Sequence, residues 1–157
     1  MAEAVSWQAF ETRTPELAAI GRRLLYPVAP TGPGLGFLAT TRADGGPRVH
    51  PVCPALHAGG LYVFVIGASP KCADLARDGR YALHAYPGSE DDESFYCSGR
   101  ALEVTDGARR RATESAVVHT VRDDEVLFEL RLARVLHTTW LRPRQPDTQP
   151  VYHRWQP

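Results

Sequence analysis

Residues 36–66 read GFLATTRADGGPRVHPVCPALHAGGLYVFVI, and the fold is decided there. Gly36–Arg42 reads as a strand, and Ala43-Asp44-Gly45-Gly46 carries the aspartate–glycine chemistry of a hairpin turn. Pro47–His57 reads as a second strand, Ala58-Gly59-Gly60 as a second turn, and Leu61–Ile66 as a third strand. Strands joined by turns this tight pair as antiparallel neighbours, which argues against a purely parallel α/β sheet. Pro47, Pro51 and Pro54 cannot donate to a ladder, so the second strand is expected to be an edge, to be bulged, or to face a ligand.

Working outward, Ser69-Pro70 supplies a cap and a first-turn proline, Lys71 to Asp78 a short helix, and Gly79 its stop. Arg80–Tyr86 reads as a fourth strand, Pro87–Glu93 as an acidic loop and Ser94–Val104 as a long fifth strand. Asp106 caps an Arg-rich helix to His119, Glu125 opens with a turn of helix, and Phe128–Trp140 reads as the sixth strand. Pro143–Pro150 is a loop before a short closing strand, Val151–Trp155. At the front, Ser6 caps a turn carrying Trp7 and Phe10, and Thr14-Pro15-Glu16 opens a helix with Leu17, Ile20, Leu24 and Leu25 at helical spacing. The expectation is a mainly β chain with flanking helices (α+β), a small closed or split β-barrel of six strands.

The chain has 157 residues, the length of one domain, and no linker or internal repeat divides 1–157. Hydrophobic residues make up 43% and charged residues 23%, which excludes disorder and coiled-coil repeats. Eighteen basic and eighteen acidic residues cancel, so nothing suggests a nucleic-acid partner held by a basic surplus. Cys53, Cys72 and Cys97 are an odd set without repeated spacing, which argues against a disulfide framework or a cysteine zinc site. The opening MAEAVSWQAF lacks the features of a signal peptide, and the longest apolar run, Leu61–Ile66, falls far short of a membrane span. A cytoplasmic protein without membrane partners is expected.

One segment carries chemistry. After the strand LYVFVI, Ser69 and Lys71 stand at the opening of a helix, where unpaired N–H groups and a partial positive charge attract phosphate. Lys71 is the only lysine beside seventeen arginines. Arg48, on the second strand, offers a guanidinium fork suited to phosphate oxygens. The same spacing also reads as a plain N-cap followed by a solvated lysine, and spacing alone leaves both readings open. The six histidines lack metal-ligand spacing, and no G-x-S-x-G elbow supports a hydrolase. Cys72, at a helix start, is placed for a lowered thiol pKa, while Cys53 and Cys97 read as buried small hydrophobes.

The ordered set FLATTRADGGPRVHPV, GGLYVFV, SPKCADLARDGRYAL, FYCSGRALEV and LFEL…TTW resembles the pyridoxamine 5′-phosphate oxidase-like family of FMN-binding split barrels over nearly the whole chain. The resemblance implies a six-stranded antiparallel split β-barrel that holds the FMN phosphate on Arg48, Ser69 and Lys71. It implies a ring lying along Val49, His50, Pro51 and Val52 and along Val65 and Ile66. It further implies a homodimer with the flavin at its interface, Ser94 reaching the cofactor from the partner subunit, and redox chemistry on a small substrate. A deazaflavin coenzyme in place of FMN, or a cofactor-binding module without turnover, fits the same fold. Cys53 replaces a lysine of the oxidase that names the family, and VYHRWQP lacks its C-terminal substrate-binding segment, so pyridoxamine phosphate is not the substrate the residues point to.

Overall fold

The structure is a computed structural model and describes residues 3–87 and 92–157. Two helices lead, α1 (Trp7–Arg13) and α2 (Pro15–Leu25). The Ser6 hydroxyl caps α1 by accepting from the Ala9 N–H at 3.2 Å. Trp7 and Phe10 meet edge to face at 5.2 Å, and Phe10 meets Trp155 at 4.8 Å, fastening the first helix to the last strand. Helix α2 lies close on the sheet because Gly21 has no side chain: a Cβ there would sit 2.5 Å from the Phe95 ring.

Among the described residues eight strands follow, not six: β1 (Gly36–Thr41), β2 (Pro47–Val52), β3 (Ala55–His57), β4 (Gly60–Ile66), β5 (Arg80–Ala85), β6 (Ser94–Glu103), β7 (Glu125–Leu141) and β8 (Gln149–Trp155). The sequence expectation of one strand over Pro47–His57 fails at Cys53-Pro54, where the chain leaves one ladder and enters another. The N–H that proline lacks is not needed at such a break. Glu125 begins β7 directly instead of a turn of helix, since Glu125–Glu129 pairs with β4. Helix α3 (Pro70–Arg77) and helix α4 (Gly107–Ala116) fall where the caps Ser69 and Asp106 place them.

All ladders are antiparallel, in the order β2-β1-β5-β6-β7-β4-β3, with β8 on the far half of β7. The two ends of that path, β2 and β3, are joined by only Cys53 and Pro54, so the sheet must curl round until its ends meet. Seventeen-residue β7 is the spine, giving its first half to β4 and its last half to β8. The core of Leu38, Leu61, Val63, Leu83, Phe95, Cys97, Leu130 and Leu132 fills the interior. Tyr62 and Phe64 face the other way and are buried with Leu127, Val104 and Val117 beneath α4. Covered on both faces, β4 reads as an unbroken apolar run. Helix α3 packs against β1, β4 and β6, strands from distant parts of the path, and so closes one end of the barrel. No helix among the described residues is long and apolar enough to cross a membrane.

Candidate functional site

Helix α3 and the edge strand β2 meet through a carboxylate. In the antiparallel register Arg48 stands opposite Thr40, on the face of β2 that turns inward. Its Nε donates to Asp74 Oδ2 at 2.7 Å, and the Thr40 hydroxyl donates to the same oxygen at 2.9 Å. Arg77 reaches the other carboxylate oxygen at 3.4 Å. Asp74 is 4% exposed, whereas the Arg48 side chain is 25% exposed, so its outer nitrogens remain open to a ligand. Burial pushes the Asp74 carboxyl up, but the hydrogen bonds from Arg48 and Thr40 and the Arg48 charge outweigh it and hold it below its ordinary 3.8. At 1.5 Å rise per residue, Asp74 lies about 4.5 Å along the axis from Lys71 and about 7.5 Å from Ser69. Arg48 is thereby tied to the helix that carries the other two expected phosphate contacts.

At the mouth of α3, Ser69 acts as the N-cap: its hydroxyl accepts from the Cys72 N–H at 3.4 Å and donates to the Ile66 carbonyl at 2.6 Å. Its one proton is therefore committed to the turn. Lys71 is half-buried and makes no hydrogen bond or ion pair among the described residues. Arg48, Lys71 and Arg77 outnumber the carboxylates of Asp74 and Glu103 near this mouth, which leaves a net positive charge suited to a phosphate. The expectation for Cys72 is corrected: burial, then the charge of Glu103, raises its thiol, and the nearby Lys71 does not compensate. Cys97 is buried as expected and is pushed up to about 12 by that burial. Cys53 is only half-buried.

The expected ring-lining residues divide between two faces. Val49 (58% exposed) and Pro51 point outward, His50 turns inward beside Arg48, and Val52 and Val65 bury their side chains in the core. Ile66 ends β4 at 38% exposed. Val52 and Val65 thus present backbone, not side chain, to anything bound at the strand edge. Ser94 opens β6 opposite Thr138, and β1 and β5 separate it from β2. Three strand spacings come to about 14 Å, so within one chain Ser94 does not join Arg48, Ser69 and Lys71.

Sequence reasoning missed Asp74 and Thr40, the groups that fix Arg48. The available signal was a carboxylate beside Cys72 and Leu75, on the face of α3 that is buried. It also missed Glu93, which accepts from Arg23 at 2.8 Å and meets His137 Nε2 at 2.7 Å, with His153 stacked on His137. The Arg23 hydrogen bonds hold the Glu93 carboxyl below its ordinary value. Two clefts of about 560 Å³ lie elsewhere: one between α2, the loop after it and the end of α4, the other beside β6. Neither is lined by Arg48, Ser69 or Lys71; around the α3 mouth Ile66, Gly67, Ala68 and Pro70 are exposed, so in a single chain it opens to solvent.

No protein-family model and no curated protein matches the chain. Solved structures do. A haem-binding protein from Mycobacterium smegmatis is 21% identical with a TM-score of 0.58; the match covers 82% of this chain and 56% of that one. A Listeria innocua protein assigned as a pyridoxamine 5′-phosphate oxidase is 17% identical with a TM-score of 0.59, over 76% of this chain and 96% of that one. An F420 reductase is 19% identical with a TM-score of 0.53, over 67% and 90% of the two chains. The fold is the split barrel of pyridoxamine 5′-phosphate oxidase-like proteins.

Proposed function

We propose that the chain is a flavin-binding oxidoreductase that holds FMN by its phosphate at the mouth of α3 and acts on a small molecule. The observation that carries this reading is the Arg48–Asp74 ion pair, which ties a partly open guanidinium to the helix whose first turn bears the unpartnered Lys71. In this reading Lys71 and the outer nitrogens of Arg48 bind the phosphate, and the Lys71 backbone N–H donates from the helix mouth. Ser69 holds that mouth in shape, and Asp74 and Thr40 keep Arg48 aimed. Val49, His50, Pro51, Val52, Val65 and Ile66 border the ring, the last four of β2 and the end of β4 supplying a strand edge for it. The flavin, when bound, supplies the hydride and electron chemistry, and the protein supplies binding, orientation and exclusion of water.

A homodimer completes the site. Val49, Phe37 and Ile66 are exposed apolar side chains at 58%, 38% and 38%, and the α3 mouth is open in one chain, both of which favour cover by a second copy. Ser94, remote from Arg48 within a chain, then reaches the cofactor from the partner subunit. The likeness to an F420 reductase favours a second reading, a deazaflavin coenzyme on the same barrel. The ultraviolet–visible spectrum of the purified chain, with FMN or a deazaflavin added in turn, tests and separates these. Bound flavin or deazaflavin absorbance that survives gel filtration supports the reading. A chain that takes up neither overturns it. Lys71→Ala is expected to weaken binding by roughly 1.5–3 kcal/mol, about 10- to 150-fold in Kd, as for a hydrogen bond to a charged group.

A further inference from the structure

Four arginines leave one face of the sheet side by side. Arg80 of β5 stands directly opposite Arg100 of β6, and Arg100 stands directly opposite Arg131 of β7. One step on, Ser98 stands opposite Arg134. Like charges directly opposite one another destabilise a sheet, so a row of this kind calls for anions. The chain supplies few. Arg80 pairs with Asp78 at 2.6 Å, the one ion pair in the row. Arg100 donates to the Asp78 backbone carbonyl, Arg131 donates to the Ala4 carbonyl at 3.1 Å, and Arg134 has no partner among the described residues.

Beside this row lies the cleft of about 560 Å³, lined by Arg80, Arg100, Arg134, Ser98 and Gly99, with Glu3 as its only side-chain carboxylate among the described residues. A β-bulge forms its floor: the register shifts between Ser98 and Gly99, and a Cβ on Gly99 would lie 2.0 Å from the Arg131 carbonyl. Bulges re-aim side chains, and this one turns Arg134 toward the cleft that Arg100 borders. The other large cleft differs in charge, because its arginines are answered by Glu11 and Glu93. Here three guanidiniums, those of Arg80, Arg100 and Arg134, face Glu3 in the cleft and Asp78 beside it, leaving a surplus of one positive charge among the described residues.

We propose that this cleft is a second anion site, separate from the α3 mouth, that takes the diphosphate or phosphate ester of a small molecule. Arg134 and the free nitrogens of Arg100 bind the phosphoryl oxygens as forks, the Ser98 hydroxyl donates a further hydrogen bond, and the bound charge relieves the repulsion along the row.

The test is a calorimetric titration of inorganic pyrophosphate into the full chain bearing Lys71→Ala, so that the α3 mouth does not compete. Saturable binding of one pyrophosphate per chain is expected. Adding Arg134→Ala or Arg100→Ala is expected to weaken it at least tenfold, while Arg13→Ala on α1 leaves it unchanged. Arg134→Lys is expected to recover part of the loss. Absence of saturable binding, or binding indifferent to Arg134 and Arg100, overturns the proposal. So does a chain that ignores pyrophosphate but binds a single-stranded oligonucleotide through these arginines, or one whose dimer dissociates with Arg134→Glu and never binds pyrophosphate. Because FMN uptake is measured separately on the unmodified chain, failure of this site and failure of the flavin reading give different results.

Discussion

Asp74 does work that no pattern in the sequence announces. It is nearly sealed from water, yet its partners Arg48 and Arg77 are 25% and 41% exposed. A fully buried pair broken on one side costs about 3–5 kcal/mol, and an exposed pair about 0–1. Asp74→Asn is therefore expected to lower stability by about 1–3 kcal/mol in urea unfolding at neutral pH and to weaken FMN binding by leaving Arg48 unaimed. Its carboxyl titrates lower in the folded chain than the ordinary 3.8, so its contribution is present above that value and lost as pH falls through the folded value. The advantage of the unmodified chain over Asp74→Asn should thus be full at pH 6 and shrink below about pH 4. The thiols offer a second check at this scale. Burial raises all three thiols, Cys97 to about 12, so access decides between them, and only half-buried Cys53 should react with a thiol reagent at pH 8 before unfolding. Equal labelling of all three in the folded chain would contradict the burial described. The sequence displayed Arg48, Ser69 and Lys71 because a helix mouth has a local signature; Asp74 and Thr40 stayed hidden because their pairing spans 34 residues.

Among elements, local chemistry foretold most boundaries. The Asp44 side chain accepts from the Gly46 N–H at 2.9 Å and Gly45 takes φ +83°, which is the hairpin that the ADGG run promised. Ser69 and Asp106 cap α3 and α4 as read. What failed was long-range: nothing within Pro47–His57 says that its two halves serve opposite ends of the sheet, because that depends on where β4 and β1 lie. Likewise, the strand character of Glu125–Leu127 comes from its pairing with β4, not from its own composition. The β6 bulge is an element-scale device with a sharp dependence on glycine. Gly99→Ala would drive a Cβ against the Arg131 carbonyl and the Ala133 nitrogen, both backbone atoms that cannot swing aside. A loss of about 1–3 kcal/mol is expected, read as a lower urea midpoint with an unchanged slope. Retention of full stability would mean that the bulge yields more freely than its geometry indicates.

For the whole molecule, the topology explains why Arg48 and the mouth of α3 stand at the same end. Closing the sheet through Cys53-Pro54 brings edge strand β2 round the barrel, and α3 caps the same end by crossing from β4 to β5. The sequence disclosed this architecture through the order of its turns and through its resemblance to split barrels. The exposed apolar surface was less legible, since Val49, Phe37 and Ile66 form it only once the strands are placed, and the expected homodimer came from the resemblance alone. Sedimentation should return twice the 17.3 kDa of one chain, and Val49→Asp should shift it toward the single-chain mass. The central claim, that a phosphate is gripped where Arg48 meets the α3 mouth, is tested most directly by comparing FMN with riboflavin. The two share a ring and differ in the phosphate alone. In a fluorescence titration of the full chain, FMN should bind at least about tenfold more tightly than riboflavin, and Lys71→Ala should abolish most of that difference while leaving riboflavin unchanged. Equal affinities for the two, with Lys71→Ala without effect on either, would contradict it.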